Sequence, residues 1–253
     1  MRVINTKSFY LTDTGKVRDH NEDSVTILKN MNDEYLLVVA DGMGGHRKGE
    51  VASSITLTHL GKRFQESASI GTKIDAVNWL SDNIGEINKE ILDYGEEHEN
   101  SKGLGTTVVA AIVTKEFLIF ANIGDSSGYV MKSNKLHRVT KPHTLVNLLV
   151  DAGNITEEEA KNHPKKNVLM KALGAAEKAE PDIFDVDNES TEILLCSDGL
   201  TSMLSDEQIE KVLLENDLTV EEKVIKLIKK CNARGGNDNI SIAYLVRESG
   251  DIA

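Results

Sequence analysis

The chain has 253 residues, 40% of them hydrophobic, which is enough material for one large domain or two small ones with a substantial core. With 29 basic against 41 acidic residues, its formal net charge of −12 argues against a protein that binds nucleic acid. The N-terminal stretch has no signal-peptide core, and no run reaches the ~18 apolar residues of a membrane span, so we expect a cytoplasmic protein.

The first half of the chain predicts a hairpin and two helices. The β-rich runs SVTILKN (24–30) and EYLLVVAD (34–41) are joined by a short polar turn, which is typical of a β-hairpin. A helix is expected from Gly49. A second one is expected over about 73–97, where apolar residues recur at every third or fourth position.

The second half returns to strands. Residues 106–140 contain four strand-like runs with short polar links, typical of antiparallel hairpins. The polar segment 143–167 predicts two short helices, one of them capped by Thr156 with Glu159, and little core of its own. We therefore interpret it as an inserted flap.

The last third predicts two strands, PDIFDV and TEILLCSDG, then two helices and a final strand, NISIAYLVRE. The chain contains no internal repeat and no linker. Many antiparallel strands combined with paired helices predict a layered α+β domain over residues 1–253. The two cysteines, Cys196 and Cys231, form no C-x-x-C motif and no disulfide framework, as expected in a reducing cytosol.

Acidic residues recur at the ends of the predicted strands. A single aspartate there is usually a turn or cap residue, but the repetition in this chain favours a shared role. Two of the sites are Asp-Gly pairs that follow buried strands. The residues are Asp41, Asp125, Asp198 and Asp238, with Glu22 and Asp23 ahead of another strand.

The glycines after Asp41 do not form a nucleotide site. After Gly42-Met43-Gly44 and two further residues, Arg47 stands where the dinucleotide fingerprint needs its third glycine, so that fingerprint fails. Gly44 to Gly49 has the spacing of a phosphate loop, but Glu50 stands where that loop needs lysine. The acidic strand end therefore indicates a metal.

Convergence of these acids would require cations. Two carboxylates ~4 Å apart repel by about 4 kcal/mol at an effective dielectric of ~20. All-oxygen ligands favour Mg²⁺ or Mn²⁺, and two ions bridged by one aspartate can hold a water and lower its pKa. The substrate would be an anion, and Arg18 could hold two phosphoryl oxygens at once. The alternative is that Arg18 pairs with a nearby surface acid.

Seven sequence blocks occur in the order found in the metal-dependent Ser/Thr phosphatases, the protein phosphatase 2C family. They are TDTGKVRDHNEDS, VADGMGGHRKGEVAS, GTT, IGDSS, NVLMKALG, SDGL and GGNDNIS. The resemblance covers about residues 10–245, and DGMGGH is similar to the bacterial branch. It implies a four-layer α-β-β-α sandwich, in which two antiparallel sheets are flanked by helix pairs.

The resemblance also implies roles for individual residues. Asp41 would bridge two tightly bound Mn²⁺ or Mg²⁺ ions, the Gly42 carbonyl would bind one of them, and Asp198 with Asp238 would bind the other. Glu22 and Asp23 would hold metal-bound waters, and Arg18 would clamp the phosphate. Asp125 with Asp198 would hold a third, weaker ion, and the flap at 143–167 would lie beside the active site.

His46 has more than one candidate role, and the chain departs from the family pattern at two positions. His46 ends the glycine-rich loop and could protonate the leaving alkoxide, or it could be a neutral structural or metal-water partner. The family usually has G-D-S-R where this chain has Ser127, and D-H-S/T where it has Pro142-His143-Thr144. Neither position belongs to the two-metal core, so activity is still expected.

The expected function is hydrolysis of phosphoserine and phosphothreonine in proteins by a metal-bridging hydroxide. The resemblance implies a signalling role opposed by a Ser/Thr kinase. Two alternatives stay open: a catalytically inactive relative that binds metal or phosphoproteins, and a small-molecule phosphatase. The intact acids Asp41, Asp198 and Asp238 count against the first alternative.

Overall fold

A computed structural model describes residues 3–44, 48–98, 101 and 103–250. Within these residues there are eleven strands and seven helices. The strands are β1 (Val3–Asp13), β2 (Asp23–Lys29), β3 (Tyr35–Met43), β4 (Gly105–Thr106), β5 (Val108–Val113), β6 (Leu118–Ile123), β7 (Ser127–Lys132), β8 (Lys135–Arg138), β9 (Asp182–Val186), β10 (Glu192–Cys196) and β11 (Ile240–Gly250). The helices are α1 (Lys48–Glu66), α2 (Lys73–Glu97), α3 (Leu145–Asp151), α4 (Glu157–Lys161), α5 (Asp198–Thr201), α6 (Asp206–Leu213) and α7 (Val220–Ala233).

The strands form two antiparallel sheets. The first sheet has the order β1-β11-β10-β7-β8, and the second has the order β2-β3-β5-β6-β9, with β4 paired to β3. The predicted hairpin of β2 and β3 is confirmed, and its register places Asp23 opposite Asp41. The predicted hairpins β5–β6 and β7–β8 are also present. Because neighbouring strands are antiparallel, the end of one strand lies beside the start of the next, and acidic residues stand at both places, as Asp41 and Asp23 do.

Side chains of β3 alternate between two layers of core. Leu36 and Val38 pack in one cluster with apolar residues of α1 and α2, whereas Leu37 and Val39 pack against the first sheet. A third cluster joins the outer face of the first sheet to α5, α6 and α7. Because a strand with apolar residues on both faces is buried between two layers, β3 lies inside the sandwich. The predicted four-layer α-β-β-α fold is confirmed.

The two long helices pack on the second sheet. α2 runs from Lys73 to Glu97 as predicted, and a capping box between Thr72 and Asp75 fixes its first turn. α1 begins at Lys48, one residue before its predicted start. None of the helices in the described ranges combines the length and apolar character that crossing a bilayer requires.

Two elements were not predicted. β1 contains polar residues throughout, and its Tyr10 is 46% exposed, because the strand lies at the edge of the first sheet. It pairs with β11 along its whole length, from Val3 opposite Gly250 to Asp13 opposite Ile240. The four-residue α5 begins directly after β10, where the sequence indicates only a strand end. Both elements depend on partners remote in sequence.

The polar segment at 143–167 contains the two predicted short helices, α3 and α4. The predicted capping box of Thr156 and Glu159 is present at the start of α4. The segment starts and ends at one place, because Leu145 N–H donates to Val168 O over 2.8 Å. The two helices thus belong to a segment that leaves the first sheet after β8 and whose two ends lie side by side.

Candidate active site

The predicted acids meet in one cleft of about 380 Å³ at the end of the sandwich. Strand β3 brings Asp41 there, the turn after β6 brings Asp125, and the first residue of α5 is Asp198. The remaining predicted residues in the cleft wall are Arg18, Glu22, Gly42 and Asp238. His46 lies outside the described residues.

Two threonines hold the backbone of Asp41. Asp41 N–H donates to Thr107 Oγ1 over 3.0 Å, and Thr107 N–H donates to Asp41 O over 2.8 Å. Thr106 Oγ1 donates to the same carbonyl over 2.9 Å. Thr107 also contacts Ser126 Oγ at 2.7 Å, next to Asp125. The GTT block therefore fixes Asp41 and connects it to the turn of Asp125, a role that sequence reasoning missed.

Gly42 lies where two backbone segments cross. Its N–H donates to Glu22 O over 3.1 Å, and a Cβ at this position would overlap the carbonyl of Gly49. Only a residue without a side chain permits this approach. The glycine after Asp41 is thus needed to bring the start of α1 and the loop of Glu22 against the end of β3.

A similar close approach positions Asp198 near Asp238. A Cβ on Gly199 would overlap the carbonyl oxygen of Asn239, so the start of α5 lies directly on the segment that precedes β11. The two Asp-Gly pairs, Asp41-Gly42 and Asp198-Gly199, therefore follow their buried strands for the same physical reason. The aspartate faces the cleft, and the glycine admits a neighbouring backbone.

Asn239 organises the loop that carries Arg18. Its Nδ2 donates to Thr14 O and to His20 O, each over 2.9 Å. Its Oδ1 accepts from Glu22 N–H over 2.9 Å. One buried side chain thus fixes both ends of the 14–22 loop, and sequence reasoning did not single it out. The sequence signal that could have identified Asn239 was its place directly after Asp238 in the block GGNDNIS.

Asp23 lies behind the cleft, not in its wall. The residue is only 8% exposed, and its Oδ2 accepts from Ser197 Oγ over 2.7 Å. Burial raises the pKa of Asp23 to about 6, against hydrogen bonds from Ser197 and Ser241 that lower it. The hydrogen bond from Ser197 connects Asp23, at the start of β2, to the segment that leads into Asp198. Asp23 would therefore affect a bound cation only through neighbouring residues.

Burial and the charges of neighbouring acids raise the pKa of Asp41, Asp125 and Asp198. Burial, followed by the charges of Asp23, Asp198, Asp125 and Asp238, holds the pKa of Asp41 well above its usual range. The pKa of Asp198 is raised to about 7, mainly by burial and then by Asp125 and Asp238. Burial likewise raises the pKa of Asp125. Such a cluster binds protons or cations readily, because either removes repulsion between the carboxylates.

Arg18 is the one cationic side chain among the described residues that line this cleft. Its Nη2 donates to Asp238 Oδ2 over 2.8 Å, and its side chain is half exposed. The ion-pair alternative for Arg18 is therefore present, with a partner inside the cleft. Since the guanidinium has further donors, this pairing leaves it able to approach a bound anion.

The cleft suits a divalent cation that prefers oxygen ligands. Among the described residues of its wall, the side chains that could bind a cation by charge are carboxylates, with neither histidine nor cysteine beside them. As arranged here, no three acidic, histidine or cysteine side chains of the described ranges come close enough to share one ion. Binding of an ion by three of these side chains would thus involve their rotation. The mutually raised pKa values supply a driving force for that closure.

Known proteins resemble this chain over nearly its whole length. The family model described as protein phosphatase 2C matches residues 15–241. The serine/threonine phosphatase stp of Listeria welshimeri is 41% identical over 239 residues, which are 94% of this chain and 94% of that protein. The serine/threonine phosphatase structure from S. agalactiae superposes with a TM-score of 0.90 at 37% identity, covering 96% of this chain and 100% of that one.

A structure of the catalytic domain of the serine/threonine protein phosphatase PstP contains two manganese ions. It has a TM-score of 0.84 and 32% identity to this chain, and it covers 97% of this chain and 99% of its own. The family match spans more than half of the sequence, and the relatives agree in both sequence and fold. The chain therefore belongs to the protein phosphatase 2C family.

Proposed function

We propose that this protein is a metal-dependent phosphatase that hydrolyses phosphoserine and phosphothreonine in proteins. The observation that carries the proposal is the cleft in which Asp41, Asp198 and Asp238 meet a single cation, Arg18. The names of the relatives agree with this chemistry. A non-catalytic binding relative would have no need for three acids that converge on one cleft.

Two Mn²⁺ or Mg²⁺ ions would occupy the cleft, with Asp41 between them. The Gly42 carbonyl would serve one ion, and Asp198 with Asp238 would serve the other. Glu22 and Asp23 would act on their water ligands, and Asp125 with Asp198 would hold a third, weaker ion. When bound, these cations supply positive charge that lowers the pKa of a water molecule and neutralises phosphoryl oxygens.

The residues of the chain would then orient and stabilise the substrate. Asp238 would turn from Arg18 towards the cation, which frees the guanidinium to donate to two phosphoryl oxygens. Asn239 would keep Arg18 within reach of the bound phosphate, because the Asn239 side chain fixes both ends of the loop that carries Arg18.

In the reaction a bond forms between a water oxygen and phosphorus, and the bond from phosphorus to the serine or threonine oxygen breaks. The water loses a proton, and the leaving oxygen gains one. His46 is one candidate for that last proton donor.

A second, larger cavity favours a polypeptide substrate over a small one. A groove of about 720 Å³ adjoins the cleft and shares Asp125, Asp198 and Asp238 with it. One wall belongs to the segment 143–167, with Val146 and Lys166 among its residues. A small phosphate ester would fill the cleft alone, whereas a phosphoprotein would place the chain around its phosphorylated residue in this groove. We therefore assign the segment the role of a flap beside the active site.

The test compares p-nitrophenyl phosphate with phosphothreonine peptides, with and without Mn²⁺. We expect metal-dependent hydrolysis of the peptides by the wild type and its loss in Asp41→Asn. The control is the same change at Asp82, an exposed residue of α2, which should leave activity intact. Substantial Mn²⁺-dependent activity in Asp41→Asn would contradict the two-metal site. Hydrolysis of p-nitrophenyl phosphate without peptide hydrolysis would favour a small-molecule phosphatase.

As a phosphoprotein phosphatase, the protein would work in the cytoplasm against a Ser/Thr kinase in signalling. The buried, unpaired thiols of Cys196 and Cys231 suit a reducing compartment. Deletion of the gene should raise phosphothreonine on the targets of one kinase, and removal of that kinase should reverse the change. Phosphorylation that stays the same in both strains would exclude this pairing.

A further inference from the structure

His143 stands at the base of the flap, directly after Pro142, where the sequence departs from the family pattern. Its side chain is only 9% exposed and contacts two different parts of the chain. Nδ1 lies 3.1 Å from Gly124 N, and Nε2 lies 3.0 Å from Asp182 Oδ2. Gly124 directly precedes Asp125 of the cleft.

These partners determine the tautomer of His143. Gly124 N–H can only donate, so Nδ1 must be the unprotonated acceptor. The proton is then on Nε2 and is donated to Asp182. Lys171 Nζ also donates to Asp182, over 3.1 Å. Although burial raises the pKa of Asp182, the hydrogen bonds from His143 and Lys171 lower it overall, so Asp182 is an ionised acceptor.

His143 holds both backbone groups of Gly124. Besides the contact to Nδ1, His143 N–H donates to Gly124 O over 2.9 Å. Gly124 has a φ of 111°, and a Cβ there would overlap the side chain of Thr107. The turn that aims Asp125 is therefore confined between His143 on one side and Thr107 on the other. Thr107 also holds Asp41, so the two acids share one support.

The same residue anchors the far end of the flap. Met170 N–H donates to His143 O over 2.8 Å, directly after the segment 143–167 closes. His143 thus joins three parts: the turn of Asp125, the start of the flap and its end. A buried histidine with only a packing role would not need a fixed tautomer or contacts to both backbone groups of one residue.

We propose that His143 is a positioning residue that, oriented by Asp182, fixes the Gly124 turn and so aims Asp125 into the cleft. This inference rests on the proposed function. It assigns His143 no contact with substrate or metal. Its effect on the reaction passes through Asp125 alone.

Three variants separate this role from packing. His143→Leu removes both side-chain hydrogen bonds, whereas His143→Asn keeps an acceptor near the place of Nδ1. The matched control is His137→Leu, at an exposed position of β8. Phosphopeptide kcat and KM, tightly bound metal content and thermal unfolding are measured on the same preparations.

We expect His143→Leu to lower kcat by roughly 10- to 100-fold, in line with the effect of a small misplacement of a reacting group. Tight metal content should stay unchanged, and His143→Asn should recover most of the loss. In the background of Asp125→Ala, the change at His143 should have little further effect, because both act through one group.

Three results overturn the proposal. Additive effects of His143→Leu and Asp125→Ala would show that His143 acts elsewhere. A loss of activity that matches a loss of folded protein would reduce it to packing. A long-range ¹H–¹⁵N spectrum of the wild type with the proton of His143 on Nδ1 would contradict the hydrogen-bond assignment without any activity assay. A wild type that hydrolyses no phosphopeptide would instead overturn the proposed function itself.

Discussion

Replacement of Asp198 by asparagine should stabilise the metal-free protein. Asp198 begins α5 in the cleft, and its pKa is raised from 3.8 to about 7, mainly by burial and by the charges of Asp125 and Asp238. A carboxyl group whose pKa is raised on folding destabilises the native state wherever it must be ionised. The penalty is absent below about pH 4, grows as the pH rises to about 7, and is constant above that.

The size of the effect follows from the two pKa values. One pH unit corresponds to about 1.4 kcal/mol, so a rise from 3.8 to about 7 gives at most about 4 kcal/mol. The amide of asparagine has to be buried in its place, which costs about 1–2 kcal/mol. We therefore expect a net gain of about 2–3 kcal/mol, equivalent to a rise in Tm on the order of 5–10 °C.

The assay is urea unfolding in excess EDTA at several pH values, with Asp82→Asn as the control for an exposed aspartate. Asp198→Asn should exceed the wild type at pH 7.5 and approach it as the pH falls towards 4. With Mn²⁺ present the order should reverse, because the variant lacks a metal ligand. A variant that is no more stable than the wild type at pH 7.5 in EDTA would refute the view that burial and repulsion of the Asp198 carboxylate destabilise the metal-free protein.

Three further predictions concern single residues. Arg18→Ala should raise KM and lower kcat/KM with unchanged metal content, and Arg18→Lys should restore only part of the loss; full rescue by lysine would mean that charge alone matters. Asp125→Ala should keep two tightly bound metals but lose much of its phosphopeptide turnover; metal counting beside steady-state kinetics checks this, and a parallel loss of metal would place Asp125 in the tight site. Glu34→Gln should destabilise the fold by about 1–3 kcal/mol at pH 7 by denaturant unfolding, because an amide group replaces an oxygen that accepts from Asn30, Asn32, Ser69 or Ile70. Although burial raises the pKa of Glu34, these hydrogen bonds lower it overall, so its contribution should be complete above its ordinary pKa of 4.5 and be lost as the pH falls below that value, and a pH-independent difference would contradict the assignment.

Sequence reasoning found the layers of the fold because their signals are local. Apolar runs such as 36–40 predicted buried strands, and the spacing of apolar residues over 73–97 predicted the bounds of α2. Acids at the ends and starts of buried strands predicted the wall of the cleft, since in an antiparallel sheet the end of one strand lies beside the start of its neighbour. The same reasoning failed for β1, whose polar sequence only becomes a strand beside β11.

The supports of the site could not be predicted in the same way. Thr107 and Asn239 act on backbone groups 66 and 217 residues away, and no pattern in sequence connects such positions. Asp23 was grouped with Glu22 because the two are adjacent. Successive residues of an extended segment point in opposite directions, which places Glu22 in the cleft wall and buries Asp23 behind it.

The pairing of β1 with β11 affects when the enzyme becomes active during its synthesis. Arg18 and Asp238 are 220 residues apart in sequence, yet they meet in the cleft. Until β11 has left the ribosome, β1 has no partner in its sheet, and the anion-binding side of the cleft lacks Asp238 and Asn239. Contacts of such long range also slow folding. A nascent chain would therefore contain every buried residue of the core between the second sheet and its helices well before it could remove a phosphate, whereas the other two core clusters wait for β11.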